Sequence, residues 1–296
     1  MTTELASSTL VRRPFDTLRV TGPDRLTWLN GMVTQAVDKL KPGEGALALA
    51  VQKNGKIESE VAVLAGAEDV LLGVREGAGA ALRDKLDRHL IMENAEVSVV
   101  EPGTSWFLLL ADEAGAEHAA RVARDGGGRA AIVGRAGVRA CFAAIGPESG
   151  EHGGAFVTSL AAGGVLLATD EEWLRRRIAL GIAEFGADYG VESYAQEALL
   201  ERDAVSFDKG CYLGQEAVFM LEKRGHVSKK LVRLEAEGPL VRGMKLLDGE
   251  THKPVGEVTS AFGAAGLGVV KYKLAVEGTE LQIEAEPPLR TRVRAA

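Results

Sequence analysis

The sequence predicts an α+β protein, with a mixed helix-and-strand region over residues 1–228 and a small all-β module over 229–296. Three observations predict it. Up to about residue 228, runs with strand character alternate with apolar residues at helical spacing. From 229 onward helical patterning stops, and LVRLEA, MKLLD, PVGEVTS, GLGVVKY and LQIEA follow one another between glycines, prolines and acidic turns. The composition, 46% hydrophobic and 26% charged with 5% aromatic, describes a globular chain whose core is built from Leu, Val, Ile and Ala.

Taken in order, residues 16–20 (DTLRV) read as a strand, and TGP turns the chain into a helix over 24–37, where Leu26, Leu29, Val33 and Ala36 share a face and Gly31 is the weak point. GALALAV (45–51) and KIESEVAVL (56–64) read as a strand pair joined at Asn54-Gly55, a pair of residues suited to a hairpin. A strand at 68–74, a helix at 80–92 and a strand at 95–100 follow. Then come a strand at 105–111, a helix near 114–124 and strands near 130–134 and 138–145. Cys141 falls in the last of these, RACFAAI, and reads as a buried small apolar residue. EEWLRRRIALGI (171–182) reads as a helix with three successive arginines.

The formal net charge of −7 argues against broad nucleic-acid binding, which calls for a basic balance. Two cysteines can neither build a disulfide framework nor hold an iron–sulfur cluster alone, and the five histidines show no metal-ligand spacing. No structural metal is expected. The N-terminal stretch lacks a continuous apolar run and no uncharged segment is long enough to span a bilayer, so a cytoplasmic location with Cys211 as a free thiol is expected.

The chemistry concentrates in DKGCYLGQE, residues 208–216. VSF (205–207) reads as a strand end and GQEAVFMLE (214–222) as a helix start, which puts Cys211 in the turn entering the helix. Free N–H groups and the positive dipole end favour a thiolate there, and Lys209, Lys223 and Arg224 add positive charge. A thiol of pKa about 8.5 is about 3% ionised at pH 7, and one shifted to about 6.5 is about 75% ionised. Gly210 and Gly214 permit tight backbone geometry, and Gln215 and Glu216 can orient groups nearby. The plain alternative is a glycine-hinged turn with an incidental cysteine. No histidine adjoins the thiol, so a Cys–His hydrolase is poorly supported.

Two further stretches stand out. EKRGHVSKKLVR (222–233) gathers basic residues able to hold a carboxylate-rich or phosphate-bearing ligand, or simply to form a solvated face. In residues 177–201, Asp188, Glu192, Glu197 and Glu201 offer carboxylates, each able to accept paired N–H donors, although most such acids are merely solvated.

KGCYLGQE, with RIALGIAEFGADY, the Gln196-Glu197 pair and RGHVSKKLVRL, resembles the YgfZ-type folate-binding relatives of the glycine-cleavage T-protein. VTGPDRLTWLNGMVTQAV and VQKNGKIESEVAVL extend the resemblance toward the N-terminus. It implies T-protein-like intertwined folate-binding domains around a central hole, with a C-terminal β-barrel. It also implies tetrahydrofolate or a one-carbon derivative as ligand, and a role beside iron–sulfur enzymes or their assembly factors. On that resemblance Cys211 is the functional thiol, with Lys209 its companion. Gly214, Gln215 and Glu216 complete the motif, and Glu197 is the carboxylate that reads the pterin edge. Lys223 and Arg224 contribute to folate binding, and the folate's glutamate tail points toward the basic run. The sequence departs from the family pattern at Met220, where an arginine is common, and at Ala195, where a proline is common. Two other functions compete: an aminomethyltransferase of the T-protein type, and a folate-linked tRNA-modification or RNA-binding protein. Gly-Gln-Glu, where T-proteins more often carry Gly-Arg-Glu, argues against the first, and the net charge against the second.

Overall fold

In the computed structural model, which describes residues 8–100, 103–224 and 226–294, nine strands precede the all-β module. They are β1 (Thr9–Arg13), β2 (Phe15–Thr21), β3 (Gly45–Val51), β4 (Ile57–Ala65), β5 (Asp69–Arg75), β6 (Glu96–Val99), β7 (Ser105–Ala111), β8 (Arg129–Arg135) and β9 (Val138–Ile145). Helices α1 (Arg25–Asn30), α2 (Gly79–Asp87), α3 (Glu113–Asp125) and α4 (Gly154–Ala162) lie among and after them. Then come α5 (Asp170–Leu180), α6 (Glu201–Ala204) and α7 (Gln215–Arg224), and finally β10 (Lys229–Ala236), β11 (Lys245–Asp248), β12 (Pro254–Phe262), β13 (Ala265–Lys271), β14 (Glu280–Ile283) and β15 (Leu289–Arg294).

The chain forms two units, each discontinuous in sequence: Met1–Gln52, Glu58–Thr169 and Asp203–Gln215 make one, and Lys53–Ile57, Asp170–Arg202 and Glu216–Ala296 the other. The barrel strands start at Lys229, where the all-β patterning starts, but the units do not divide at residue 228. The segment carrying α5 and the acidic loops clusters with the barrel.

The first unit holds two sheets. In one, of order β3-β4-β5-β2-β6, alternate residues such as Leu18, Val20, Val63, Val70 and Leu72 are buried against Trp28 and Leu29 of α1 and Leu82 and Leu86 of α2. In the other, of order β1-β7-β9-β8, Phe107, Leu109, Cys141 and Ala143 pack against the alanine face of α3 and Leu160 of α4. Burying one sheet face on a helix stripe removes apolar area from water at about 25 cal/mol per Å², the main favourable term in each layer. The Trp106 indole N–H donates to Thr17 Oγ1 at 2.9 Å, and a buried Arg135–Glu60 ion pair at 2.8 Å ties β8 to β4. The α3 start is capped by Asp112, whose Oδ1 accepts from the Gly115 N–H at 2.8 Å.

Three expectations fail locally. The helix expected across 24–37 stops at Asn30: the Gly31 N–H turns back to the Trp28 carbonyl at 2.9 Å, and Asn30 Oδ1 takes the Val37 N–H at 3.0 Å. The helix expected at 80–92 ends at Asp87, and Ile91 and Met92 stand 84% and 92% exposed. VSF is loop rather than strand: the Ser206 N–H donates to Thr34 O at 3.0 Å, and no strand pairs with it among the described residues. Strand β1 and helix α4 are additions; the short, glycine-flanked run GAFVTSLAA gives little periodic signal.

The second unit is built on a closed six-stranded barrel of order β10-β13-β12-β11-β14-β15, every pairing antiparallel, with Leu234, Leu246, Val258, Val270, Leu281 and Ile283 in its core. Helix α5 packs on β12. Among the described residues no helix is long and apolar enough to cross a membrane.

Candidate functional site

In the first unit the motif loop is fastened from below. Lys209 Nζ donates to the carbonyls of Asn30 at 2.5 Å, Val33 at 2.8 Å and Gln35 at 2.8 Å. A helix carried on to residue 37 would have used the Asn30 and Val33 oxygens in its own i→i+4 bonds, so the break in α1 frees them for the lysine. All three ammonium donors are engaged. The charge also sits 5.1 Å from the centre of the Tyr212 ring, a cation–π contact. Burial pushes the Lys209 pKa down to about 8, against a smaller upward pull from Asp38. Lys209 thus fastens the loop through backbone carbonyls, a task its assignment beside the thiol did not include.

Tyr212 is buried next to it. Its hydroxyl has no hydrogen-bond partner among the described residues, and burial pushes its pKa up to about 12. The Leu213 N–H donates to Gly31 O at 3.0 Å, and the Gln215 N–H to Tyr212 O at 3.1 Å. Gly214 has φ +82°, and a Cβ there would collide with the Gln52 carbonyl and come within 2.9 Å of Val51 Cγ2. Only glycine fits on both counts. Gly210, by contrast, has open space around it and no positive φ.

Between these anchors Cys211 is exposed, in a stretch without regular secondary structure four residues ahead of α7. The loop's inward residues fix the backbone and its cysteine faces solvent. Cys141 is the opposite case: it is 1% exposed within β9, and burial pushes its thiol pKa up to about 12.

Gln215 opens α7, and Glu216, exposed, places an acid in its first turn. Lys223 is exposed near the helix end, and Met220 is 46% exposed. Arg224 closes α7, and its side chain lies outside the described residues.

In the second unit Glu197 ends a single 3-10 turn, Ala195–Glu197, and is 6% exposed. Its Oε2 accepts the Tyr194 N–H at 3.2 Å. Burial raises its pKa, against weaker opposition from that hydrogen bond and from Lys229 and Lys56. Gln196 Nε2 donates to Val218 O at 3.0 Å, which ties the turn to α7. Lys56, in the hairpin tip, pairs with Glu192. Glu201 is likewise raised by burial and lies 3.7 Å from Lys230.

Asp188 is not a solvated acid. Its Oδ2 receives Arg177 Nη1 at 2.6 Å and the Glu184 N–H at 3.0 Å, and its Oδ1 receives the hydroxyls of Thr259 at 2.6 Å and Ser260 at 2.7 Å. Arg177 and Asp188 are both buried. Among the motif's residues, sequence reasoning left Tyr212 without a role; an aromatic three positions from a lysine in a rigid loop was the available signal.

Comparisons with known proteins agree with this architecture. Residues 229–295 match the model of the CAF17 C-terminal β-barrel domain. The crystal structure of the glycine cleavage system aminomethyltransferase T from Bartonella henselae is similar at a TM-score of 0.78 and 19% identity, covering 98% of this chain and 86% of that one. A heterotetrameric sarcosine oxidase from Corynebacterium sp. U-96, solved with pyrrole 2-carboxylate, is similar over 55% of this chain and 87% of that one at a TM-score of 0.33 and 17% identity. No curated protein matches the sequence. The α+β fold with a terminal barrel is therefore the T-protein fold.

Proposed function

We propose that the chain is a YgfZ/CAF17-type relative of the glycine-cleavage T-protein, that it binds a reduced folate and that it serves iron–sulfur proteins as an accessory factor. Cys211 is its reactive thiol. The observation that carries the reading is the construction of the KGCYLGQE loop: Lys209 and Gly214 hold the backbone, Tyr212 is buried against the lysine, and the thiol between them is exposed. A structural cysteine would be buried, as Cys141 is. An exposed thiol on a held loop suits a reaction with another macromolecule, which a small enclosed pocket would not admit.

Tetrahydrofolate or a one-carbon derivative is the ligand. Glu197 supports this part of the reading, since a carboxylate with most of its surface removed from water gains from the paired N–H donors of a pterin edge. Gly214, Gln215, Glu216, Lys223 and Arg224 remain assigned to folate binding on the family resemblance alone.

Two measurements test the two halves. In calorimetric titration, Glu197→Gln should weaken tetrahydrofolate binding by about 1–3 kcal/mol, and unaltered affinity removes Glu197 from the site. The same variant should be no less stable than wild type near neutral pH: with its folded pKa raised, wild-type Glu197 loses stability as pH climbs past its unfolded value. In cells, Cys211→Ser should abolish support of iron–sulfur enzyme activity with protein level unchanged. Full support by the serine variant refutes the thiol role.

One observation favours a second reading. The similar crystal structure is that of an aminomethyltransferase. Robust release of ammonia from an aminomethylated lipoyl carrier would establish that activity in place of the accessory role.

A further inference from the structure

We propose that the outer edge of β6, with the tip Ile91-Met92 just before it, docks an extended segment of the protein on which Cys211 acts, a segment of alternating basic and apolar residues that joins the sheet as a strand. This names a partner surface for the thiol reading above and rests on it.

The sheet edges are treated unequally. The barrel is closed and has none. Strand β1 is covered where the Ala168 N–H donates to Leu10 O at 2.8 Å. Strand β3 is covered at Leu49, whose carbonyl accepts the Thr34 N–H at 3.0 Å and whose N–H donates to Thr34 Oγ1 at 2.8 Å, and β8 lies beside β3. Strand β6 is open. The Val100 N–H donates to Thr17 O at 2.9 Å, which sets the phase of the antiparallel ladder: Glu96, Ser98 and Val100 turn their backbone groups to β2, and Val97 and Val99 turn theirs outward. Those outward groups have no partner among the described residues. The Val97 side chain is buried in the core, and that of Val99 is 45% exposed. Such an edge is a template for another strand, and EVSV carries no lysine or proline to blunt it.

The tip is held so that its apolar side chains stay in water. Glu93 Oε2 accepts the N–H groups of Ile91 and Met92, each at 3.1 Å. The Asn94 N–H donates to Asp24 Oδ2 at 2.8 Å, and the Asp24 N–H returns to Asn94 O at 3.2 Å. The backbone is thereby satisfied, and two adjacent large apolar side chains stand exposed beside an open strand edge. A strand laid along β6 would bond the outward backbone groups and take this apolar area out of water.

Two observations choose the occupant. The first is charge. Asp24, Asp87, Glu93 and Glu96 are exposed around the edge and tip, and Arg88 is the loop's own exposed cation. Arg25 and Arg19 beside them are taken up by the carbonyls of Gly22 and Ala67 and by Asp69. Two such acidic rims, on chains of net charge −7, repel each other, which disfavours a second copy. Lysines or arginines alternating with apolar residues meet both the carboxylates and the tip. The second is position. Asp24 fastens the tip at the start of α1, and Asn30, the last residue of α1, accepts from Lys209 of the cysteine loop. Helix α1 has six residues and rises about 9 Å, so the tip and the thiol loop are fixed to opposite ends of one short rod within the same unit.

Photocrosslinking of the full chain in cells tests this. Benzoylphenylalanine in place of Ser98, an exposed residue of the edge, should form an adduct with an iron–sulfur protein whose activity falls in a Cys211→Ser strain, and the joined peptide should carry basic residues. Ile91→Lys plus Met92→Lys, and separately Val99→Pro, which removes an outward donor, should each cut the adduct about tenfold. Both should leave the melting temperature and the reaction of Cys211 with a small disulfide reagent as in wild type. Where Val99→Pro fails to fold, the lysine pair decides, since both of its side chains stand in water. An adduct between two copies of this chain, adducts with unrelated proteins alone, no adduct, or one that survives the lysine pair overturns the docking edge and leaves the thiol reading standing. Unchanged iron–sulfur enzyme activity in the Cys211→Ser strain removes the thiol reading and this one with it.

Discussion

Two loops of this molecule are each held by a single charge, and the charges are of opposite sign. In the first unit Lys209 holds the cysteine loop through three backbone carbonyls. In the second, Asp188 holds the segment after α5 through a guanidinium, two hydroxyls and one N–H. A cation can be satisfied by carbonyls that a short helix leaves unused, so its fastening needs no particular neighbouring side chains. An anion needs donors, and here three of the four are side chains, from α5 and β12. The first device is written in backbone shape, the second in residue identity.

The largest expected effect falls on the second device. Asp188→Ala leaves Arg177 as a buried charge without its main partner and should cost about 3–5 kcal/mol in urea unfolding. Removing Arg177 as well, in Arg177→Met plus Asp188→Ala, should recover part of that loss; strictly additive losses would show that the two do not act as a pair.

The first device should give a smaller loss. Lys209→Met strips three carbonyls of their donor, and about 1–3 kcal/mol is expected. Its pH dependence sharpens the contrast. With the folded pKa lowered to about 8 from 10.5, the unfolded chain holds a proton the folded chain has lost between those values. Wild-type stability relative to Lys209→Met should therefore rise with pH across that window; a flat difference between pH 8 and 10 would mean that burial does not depress this lysine.

The smallest effect is on the cysteine itself. Cys211→Ser should change stability by no more than about 0.5 kcal/mol, as at an ordinary exposed position. A disulfide reagent should titrate one thiol in the native protein and two in denaturant, the second being Cys141. Two native thiols would show that β9 opens readily.

The sequence disclosed the two devices unequally, and the same physics explains why. Alternating apolar residues made most strands legible, and the loss of helical spacing after 228 marked the barrel. The Asn54-Gly55 turn was readable because a hairpin asks for positive φ, which Gly55 takes. The reach of α1 was not readable. Leu29 and Val33 keep helical spacing across Gly31, and the competitor for the freed carbonyls lies 176 residues from Val33. Carbonyls leave no mark on residue identity, so Lys209 looked like a partner for the thiol. Asp188 was visible as a candidate carboxylate but looked solvated, because its donors Thr259 and Ser260 come from a distant strand. Barrel closure was hidden in another way: strand patterning does not show that β15 returns to pair with β10.

That closure has a consequence for how the protein can fail. The seam is sealed by β15 pairing with β10, Leu234 opposite Val293 and Ala236 opposite Thr291. A premature stop at codon 289 would remove this strand, unzip the ring and bare the flanks of β10 and β14 together. Bare strand flanks template pairing between chains, so late nonsense alleles should yield insoluble product rather than a slightly shortened working molecule.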